Sequence, residues 1–149
     1  MNIKIFLTKM LIIFLFLNTN VFSKQTEDFQ KGIKLFKEKK FDKSKIFFER
    51  DIVFNPKSEK SYLYLAKIFN KKKNDEEEEM NLNNVLLINP NNDEALYMLT
   101  LLKIKQSDYS GATKLINKFV LVCESFCSKE NEIQDKLKKL TPENEKSNN

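Results

Sequence analysis

Apolar residues recur along the chain at intervals of three and four positions, within short segments that polar turns separate. Phe29, Ile33 and Phe36 in the segment 27–39 show this period, which is typical of an amphipathic helix and not of a strand. The same pattern predicts six further helices, over residues 42–54, 59–70, 75–88, 93–105, 109–122 and 129–140. The chain is therefore expected to be all-α.

The first two predicted helices form a pair whose pattern returns 34 residues later. Pro56 and Pro90 each follow an asparagine, and the residues between them can be aligned with the preceding stretch, 32–56. The residue before a proline disfavours the α region, so each Asn-Pro ends a helix. A two-helix repeat of about this length predicts a solenoid, in which each pair buries its apolar face against its neighbours.

Small and aromatic residues occur at matching places in three copies of this pair. They are Gly32, Leu35, Phe41, Ser44, Phe48 and Pro56, then Tyr62, Leu65, Ala66, Phe69, Leu82, Val85 and Pro90, then Leu96, Leu99, Thr100, Tyr109, Ala112, Ile116 and Phe119. Over residues 25–127 this pattern resembles the tetratricopeptide repeat (TPR) family. The resemblance implies a TPR-like α-solenoid of about three helix pairs. Residues 128–140 would form a capping helix over its open apolar end, and the polar tail, 141–149, is expected to be disordered.

Four residues depart from the pattern of that family. Asp51 and Glu78 stand where a small or apolar residue is usual, Lys103 replaces an aromatic residue, and Glu124 replaces the proline. Burying a charged group is unfavourable unless it is paired and hydrogen-bonded. We therefore expect the pair that contains Glu78 to splay or to start late. The helix that contains Asp51 is the part of the fold assignment most open to error.

The resemblance also implies a superhelix whose concave groove is lined by the first helix of each pair and binds a protein or peptide. The groove positions in this chain are Phe29, Ile33, Lys37, Leu63, Lys67, Asn70, Lys71, Tyr97, Leu101 and Lys105. Apolar residues interleaved with lysines would suit an extended or helical peptide of acidic character. The alternative, that several of these residues only pack against the neighbouring helix, stays open.

Some members of the family hold the C-terminal carboxylate of a chaperone with lysine, asparagine and arginine side chains. The corresponding positions in this chain are Phe29, Ile33, Tyr64, Glu94 and Met98. Aromatic, aliphatic and acidic side chains cannot form such a clamp, so we expect a different mode of recognition here.

Composition excludes most other functions. The chain contains no histidine, which removes the commonest general base and metal ligand, and its carboxylates are isolated on helices. We therefore expect no enzyme activity, no metal and no cofactor, and no small-molecule substrate. The formal net charge of +5 is mild and mixed with acidic residues. Solvated helix faces explain this charge better than nucleic-acid binding does, so we expect no nucleic-acid partner.

Residues 1–23 have the layout of a secretory signal peptide. Lys4 and Lys9 precede a short apolar run, 10–17, and Ser23 is a small residue before a cleavage point. We expect cleavage near residue 24 and a periplasmic or secreted scaffold of the bacterial cell envelope. The alternative is an uncleaved anchor in the inner membrane, which would make the chain a membrane-tethered subunit of an envelope assembly or secretion complex. Only in that case do we expect membrane contact.

Cys123 and Cys127 are the only two cysteines. Exported chains meet an oxidising compartment, and cysteines four residues apart at a helix end are within bridging distance. Our hypothesis is a disulfide that fixes the corner before the terminal helix. Free core thiols, or a redox or metal site, remain alternatives.

Overall fold

The computed structural model describes residues 26–140, and this part of the chain is helical with no strand. The helices are α1 (Glu27–Lys37), α2 (Phe41–Phe54), α3 (Glu59–Lys72), α4 (Asp75–Ile88), α5 (Asp93–Lys105), α6 (Tyr109–Val122) and α7 (Glu130–Leu140), with a short 3-10 helix, Cys127–Lys129, before α7. The predicted all-α class is confirmed, and no helix end differs from its predicted position by more than two residues. The predicted signal segment and the polar tail lie outside the described residues.

Successive helices pack in three pairs, α1 with α2, α3 with α4 and α5 with α6, and each pair also contacts the next helix. The apolar core is divided in the same way. One cluster joins α1, α2 and α3, a second joins α3, α4 and α5, and a third joins α5, α6 and α7. Each pair therefore completes its core with the first helix of the following unit. Helix α7 supplies that part for the last pair, through Ile133, which is fully buried.

Small side chains let the two helices of the first pair cross closely. A Cβ atom added at Gly32 would lie 2.7 Å from Cε1 of Phe48, a residue that is itself fully buried. At the same crossing, the Ser44 hydroxyl donates to the Gly32 carbonyl oxygen at 2.8 Å. Ala66 and Ala112, at equivalent places in the next two pairs, are also fully buried.

Asp51 is buried within α2, and the helix runs through it without interruption from Phe41 to Phe54. Its carboxylate accepts hydrogen bonds from the hydroxyl groups of Thr26, Ser58 and Ser61, the one from Ser58 at 2.5 Å. Ser58 thus bonds to Asp51 and not to the backbone at the start of α3. The acid is accommodated because these hydroxyls satisfy it, and it joins the first pair to α3.

Glu78 does not splay the second pair, and the expectation that it would is wrong. Helix α4 begins at Asp75, and Glu78 is only 2% exposed where α3 and α4 pack together. The Asn70 amide donates to both carboxylate oxygens, at 3.0 and 3.1 Å. A polar partner on the facing helix therefore replaces the close contact that a small residue would make.

Ion pairs link adjacent helix pairs in a repeated way. Lys72 at the end of α3 pairs with Asp42 at the start of α2, and Lys105 at the end of α5 pairs with Asp75 at the start of α4. Both links connect residues 30 positions apart. The same relation between successive units is thus used twice.

The turn after α6 is held by an acidic side chain where the family pattern has a proline. The Asp93 carboxylate accepts hydrogen bonds from the backbone N–H groups of Glu124, Ser125 and Phe126, at 2.6–2.9 Å. Partial burial opposes ionisation, but these backbone donors outweigh it and hold the pKa of Asp93 below its ordinary value. In the same turn the structure joins Cys123 and Cys127 by a disulfide, with their Cα atoms 5.2 Å apart.

The Gly32→Ala variant tests the close crossing of α1 and α2. The added methyl group would press against a fully buried ring, and we expect a net loss of stability, since overpacking a core typically costs about 1–3 kcal/mol. The gain in helix propensity from alanine offsets at most about 1 kcal/mol of this loss. Urea unfolding followed by circular dichroism measures the change.

Lys34→Ala is the matched control, because Lys34 is an exposed residue of the same helix. Its effect should stay within about 0.5 kcal/mol. Equal stability of Gly32→Ala and the wild-type chain would contradict the close crossing.

Candidate peptide-binding groove

The first helices of the three pairs lie side by side and form one surface. Between α1 and α3, the Tyr64 ring packs edge-on against Phe29 and Phe36, with centroids 6.0 and 5.1 Å apart. Between α3 and α5, Lys67 pairs with Glu94. The groove candidates all lie on these three helices.

The apolar members of the predicted set contribute mainly to the core. Phe29 is 2% exposed and Leu63 is 8% exposed, so these side chains are not open to a ligand. Ile33 and Leu101 are half-buried and pack against the first and third core clusters. For Phe29 and Leu63, the alternative that the sequence left open describes their position.

Lys67 is neutralised within the protein. Its Nζ atom lies 2.8 Å from Oε1 of Glu94 and 4.9 Å above the ring centroid of Tyr64, and both charged side chains are about one-quarter exposed. A partly buried pair of this kind is weakly screened by salt. Lys67 therefore joins α3 to α5 and contributes little net charge to the groove.

Tyr97 attaches the terminal helix to α5. Its hydroxyl donates to Oε1 of Glu132 at 3.0 Å, its ring lies against Phe126, and Lys129 stands over the ring. Hydrogen bonds from Lys136, Lys129 and Tyr97 lower the pKa of Glu132 to about 2, so it is ionised at neutral pH. Burial and this carboxylate raise the pKa of Tyr97. The α7 helix thus closes one end of the surface.

The exposed candidates are Lys37, Asn70, Lys71 and Lys105. The three lysines occupy the last turns of α1, α3 and α5 at strict 34-residue intervals, and we call them the lysine row. Lys105 pairs with Asp75 at 2.6 Å, whereas Lys37 and Lys71 have no ion-pair partner within residues 26–140. The interval was visible in the sequence, but only the structure shows that these members of the groove set are the accessible ones.

Two further features limit the chemistry of the described region. Residues 26–140 contain no group of three or more side chains suited to holding a metal ion. In the same range, every helix is too short or too polar to cross a membrane.

Comparison with known proteins yields matches in structure only. Neither the known protein families nor the curated proteins match the sequence. The first TPR of Spaghetti (RPAP3), solved bound to the HSP90 peptide SRMEEVD, has a TM-score of 0.68 and 17% identity, covering 76% of this chain and 90% of that one. The Sgt2 TPR domain from Aspergillus fumigatus has a TM-score of 0.66 and 14% identity, covering 78% and 80% respectively. The chain has the tetratricopeptide repeat fold.

The residues at the expected clamp positions are already engaged in this TPR chain. Phe29 is buried, Ile33 and Met98 pack against core clusters, the Tyr64 ring stacks on Phe48, and Glu94 pairs with Lys67. These positions therefore offer no cluster of cations to a C-terminal carboxylate, as the sequence had indicated.

Glu78→Gln tests the buried carboxylate next to the groove residue Asn70. Burial raises the pKa of Glu78 above its ordinary value of 4.5, although the hydrogen bond from Asn70 opposes this. As the pH rises above 4.5, the unfolded chain releases this proton first, so the wild-type chain loses stability in that window. Glutamine has no such proton and can still accept from Asn70.

We therefore expect Glu78→Gln to gain stability relative to the wild type as the pH increases from below 4.5 to 7. Guanidinium unfolding at both pH values measures the difference. Glu76→Gln, an exposed change in the same helix turn, is the control and should not show this trend. A constant difference for Glu78→Gln at the two pH values would rule out the burial effect.

Proposed function

We propose that this TPR chain is a non-enzymatic scaffold that binds an acidic segment of a partner protein along the lysine row. The observation that carries the proposal is the regular placement of Lys37, Lys71 and Lys105 on the three first helices, exposed and at one register. Two of the three lysines have no acidic partner within the described residues. A ligand that supplied carboxylates would gain attractions that the protein leaves unused.

The spacing of the lysine row restricts the form of the ligand. Helices packed side by side lie about 8–10 Å apart, so neighbouring lysines are expected at about that separation. An extended segment advances about 3.3 Å per residue and would present carboxylates at every third position. A helical segment advances about 1.5 Å per residue and would need carboxylates roughly seven positions apart.

The comparisons support the general class. The RPAP3 TPR was solved with a bound peptide, and a fold of packed helix pairs without a catalytic constellation fits a binding module better than an enzyme. That peptide has an acidic C-terminal end, but the clamp positions are filled here. We therefore propose an internal acidic segment as the ligand, and not a chain terminus.

Site-specific photo-cross-linking from position 71 in the expressing cell tests this proposal. The expected product is a cross-link to an acidic segment of one partner protein. Reversing the charges with Lys37→Glu and Lys105→Glu should weaken binding of that segment, since exposed pairs contribute about 0.2–1 kcal/mol each. Attraction lost and repulsion gained at two sites give a loss of roughly five- to thirty-fold.

Lys114→Glu with Lys118→Glu is the matched control, since both residues lie on α6, outside the three first helices. This control should bind normally. Equal binding by the Lys37/Lys105 variant, or a cross-link that maps to a basic or apolar segment, would refute the lysine row as the binding site.

We also propose that the scaffold works in the bacterial cell envelope, after export directed by residues 1–23. The support is the order of Lys4 and Lys9, the apolar run 10–17 and a small residue at position 23. N-terminal sequencing of the protein from fractionated cells tests this. A soluble periplasmic product that starts near residue 24 is expected. A membrane-bound product that starts at Met1 would favour the tethered subunit, and a soluble cytoplasmic product would contradict both.

A further inference from the structure

The second helices of the pairs carry exposed aliphatic residues in a row. Val53, Leu87 and Leu121 are separated by strict 34-residue intervals and are 73%, 81% and 83% exposed. Each stands near the end of α2, α4 or α6. We call these three residues the outer row. Single exposed apolar residues are common on protein surfaces, but the same position being apolar and open in all three units is a pattern.

Core packing does not account for the outer row. The buried residues of the same helices, such as Phe48, Val85 and Phe119, lie on other faces and are at most 0% exposed by comparison. Two turns earlier, Ile46 and Met80 are also more than half exposed. The first two units thus present two apolar residues each to the outside, and next to Val53 the Phe54 ring is 77% exposed.

The charges around the outer row are mostly positive or absent. The cations within a turn or two of it are Lys45, Arg50, Lys57, Lys114 and Lys118, while the acids are Glu49 and Glu124. Glu49 is paired with Lys45 at 2.6 Å. The neighbours of Leu87 on α4 are the uncharged Asn83 and Asn84. The face is therefore apolar with a basic surround, which is complementary to an anionic surface.

The shape of the molecule favours a lipid surface over a protein partner. The second helices lie behind the first helices and form the outer side of the solenoid, where residues about 8–10 Å apart on neighbouring helices project separately. A protein partner would need a matching concave surface, and three separated side chains bury much less than the roughly 800 Å² per partner of a stable interface. Lipid head groups can rearrange around each projecting side chain. We propose that the outer row docks on an anionic membrane surface.

The course of the chain gives an independent argument. Thr26, the first described residue, bonds through its hydroxyl to Asp51, two positions before Val53. The apolar run 10–17 is separated from Thr26 by eight residues, which can span at most about 30 Å. While that run is in a membrane, during export or as an anchor, the Val53 end of the outer row is held close to the lipid. The docking face does not involve the lysine row, so this inference does not depend on the proposed function.

A site-specific fluorescent label tests the contact in the full-length chain. Cys123 and Cys127 are joined to each other, so a cysteine introduced as Leu87→Cys can be labelled selectively with an environment-sensitive dye under non-reducing conditions. With vesicles that contain about one-third phosphatidylglycerol, we expect a blue shift of the dye emission and quenching by brominated lipids. Attraction of basic residues to such vesicles decreases with salt, so neutral vesicles or high salt should reduce the shift.

Lys71→Cys is the matched control, since its label is exposed on the groove side and should remain water-like even when the N-terminal segment inserts. Equal signals from the two sites, or a water-like Leu87 label on bound protein, would overturn the proposal. A blue shift without vesicles would also overturn it. If that shift increased with protein concentration it would indicate a second copy as the occupant, and if it did not, the chain's own N-terminal segment.

Discussion

The structure depends on the sharing of one apolar core between successive helix pairs. No pair buries its apolar side chains alone, because each core cluster includes residues from the first helix of the next unit. In the first unit, the close approach of Gly32 to Phe48 brings α1 and α2 together, and Leu65 and Phe69 of α3 cover the remaining side. At the other end, Ile133 of α7 completes the cluster around Phe119. A repeat protein stabilised in this way needs a covering element where the repeats stop.

Two acids show how this packing tolerates residues that oppose burial. Asp51 is surrounded by three hydroxyl groups, and Glu78 receives two hydrogen bonds from one amide. Within the described residues, no buried side-chain nitrogen or oxygen lacks a partner. Because an unsatisfied buried group costs about 1–3 kcal/mol, these partners are required for the units to close. They also connect elements that are distant in the sequence, since Asp51 joins the first pair to α3.

The same 34-residue interval gives the two faces of the solenoid different chemistry. On the first helices it places lysines at the last turn, and on the second helices it places aliphatic residues at the outer side. Of the predicted groove, the apolar part largely became core and the cationic part stayed accessible. The surface that we propose for a partner protein is therefore more polar than the sequence suggested. The apolar surface that remains open lies on the opposite side of the molecule.

The sequence by itself determined the all-α class, the seven helices and their ends, because local spacing, Asn-Pro stops and repeated small residues act over short distances. The tertiary structure decided which groove candidates are open. Phe29 and Leu63 have the same periodicity as accessible residues, and their burial depends on side chains from neighbouring helices. It also decided the role of Asp51 and Glu78, since their partners come from other helices. Periodicity records which face of a helix is apolar, but only the packed neighbours show what covers that face.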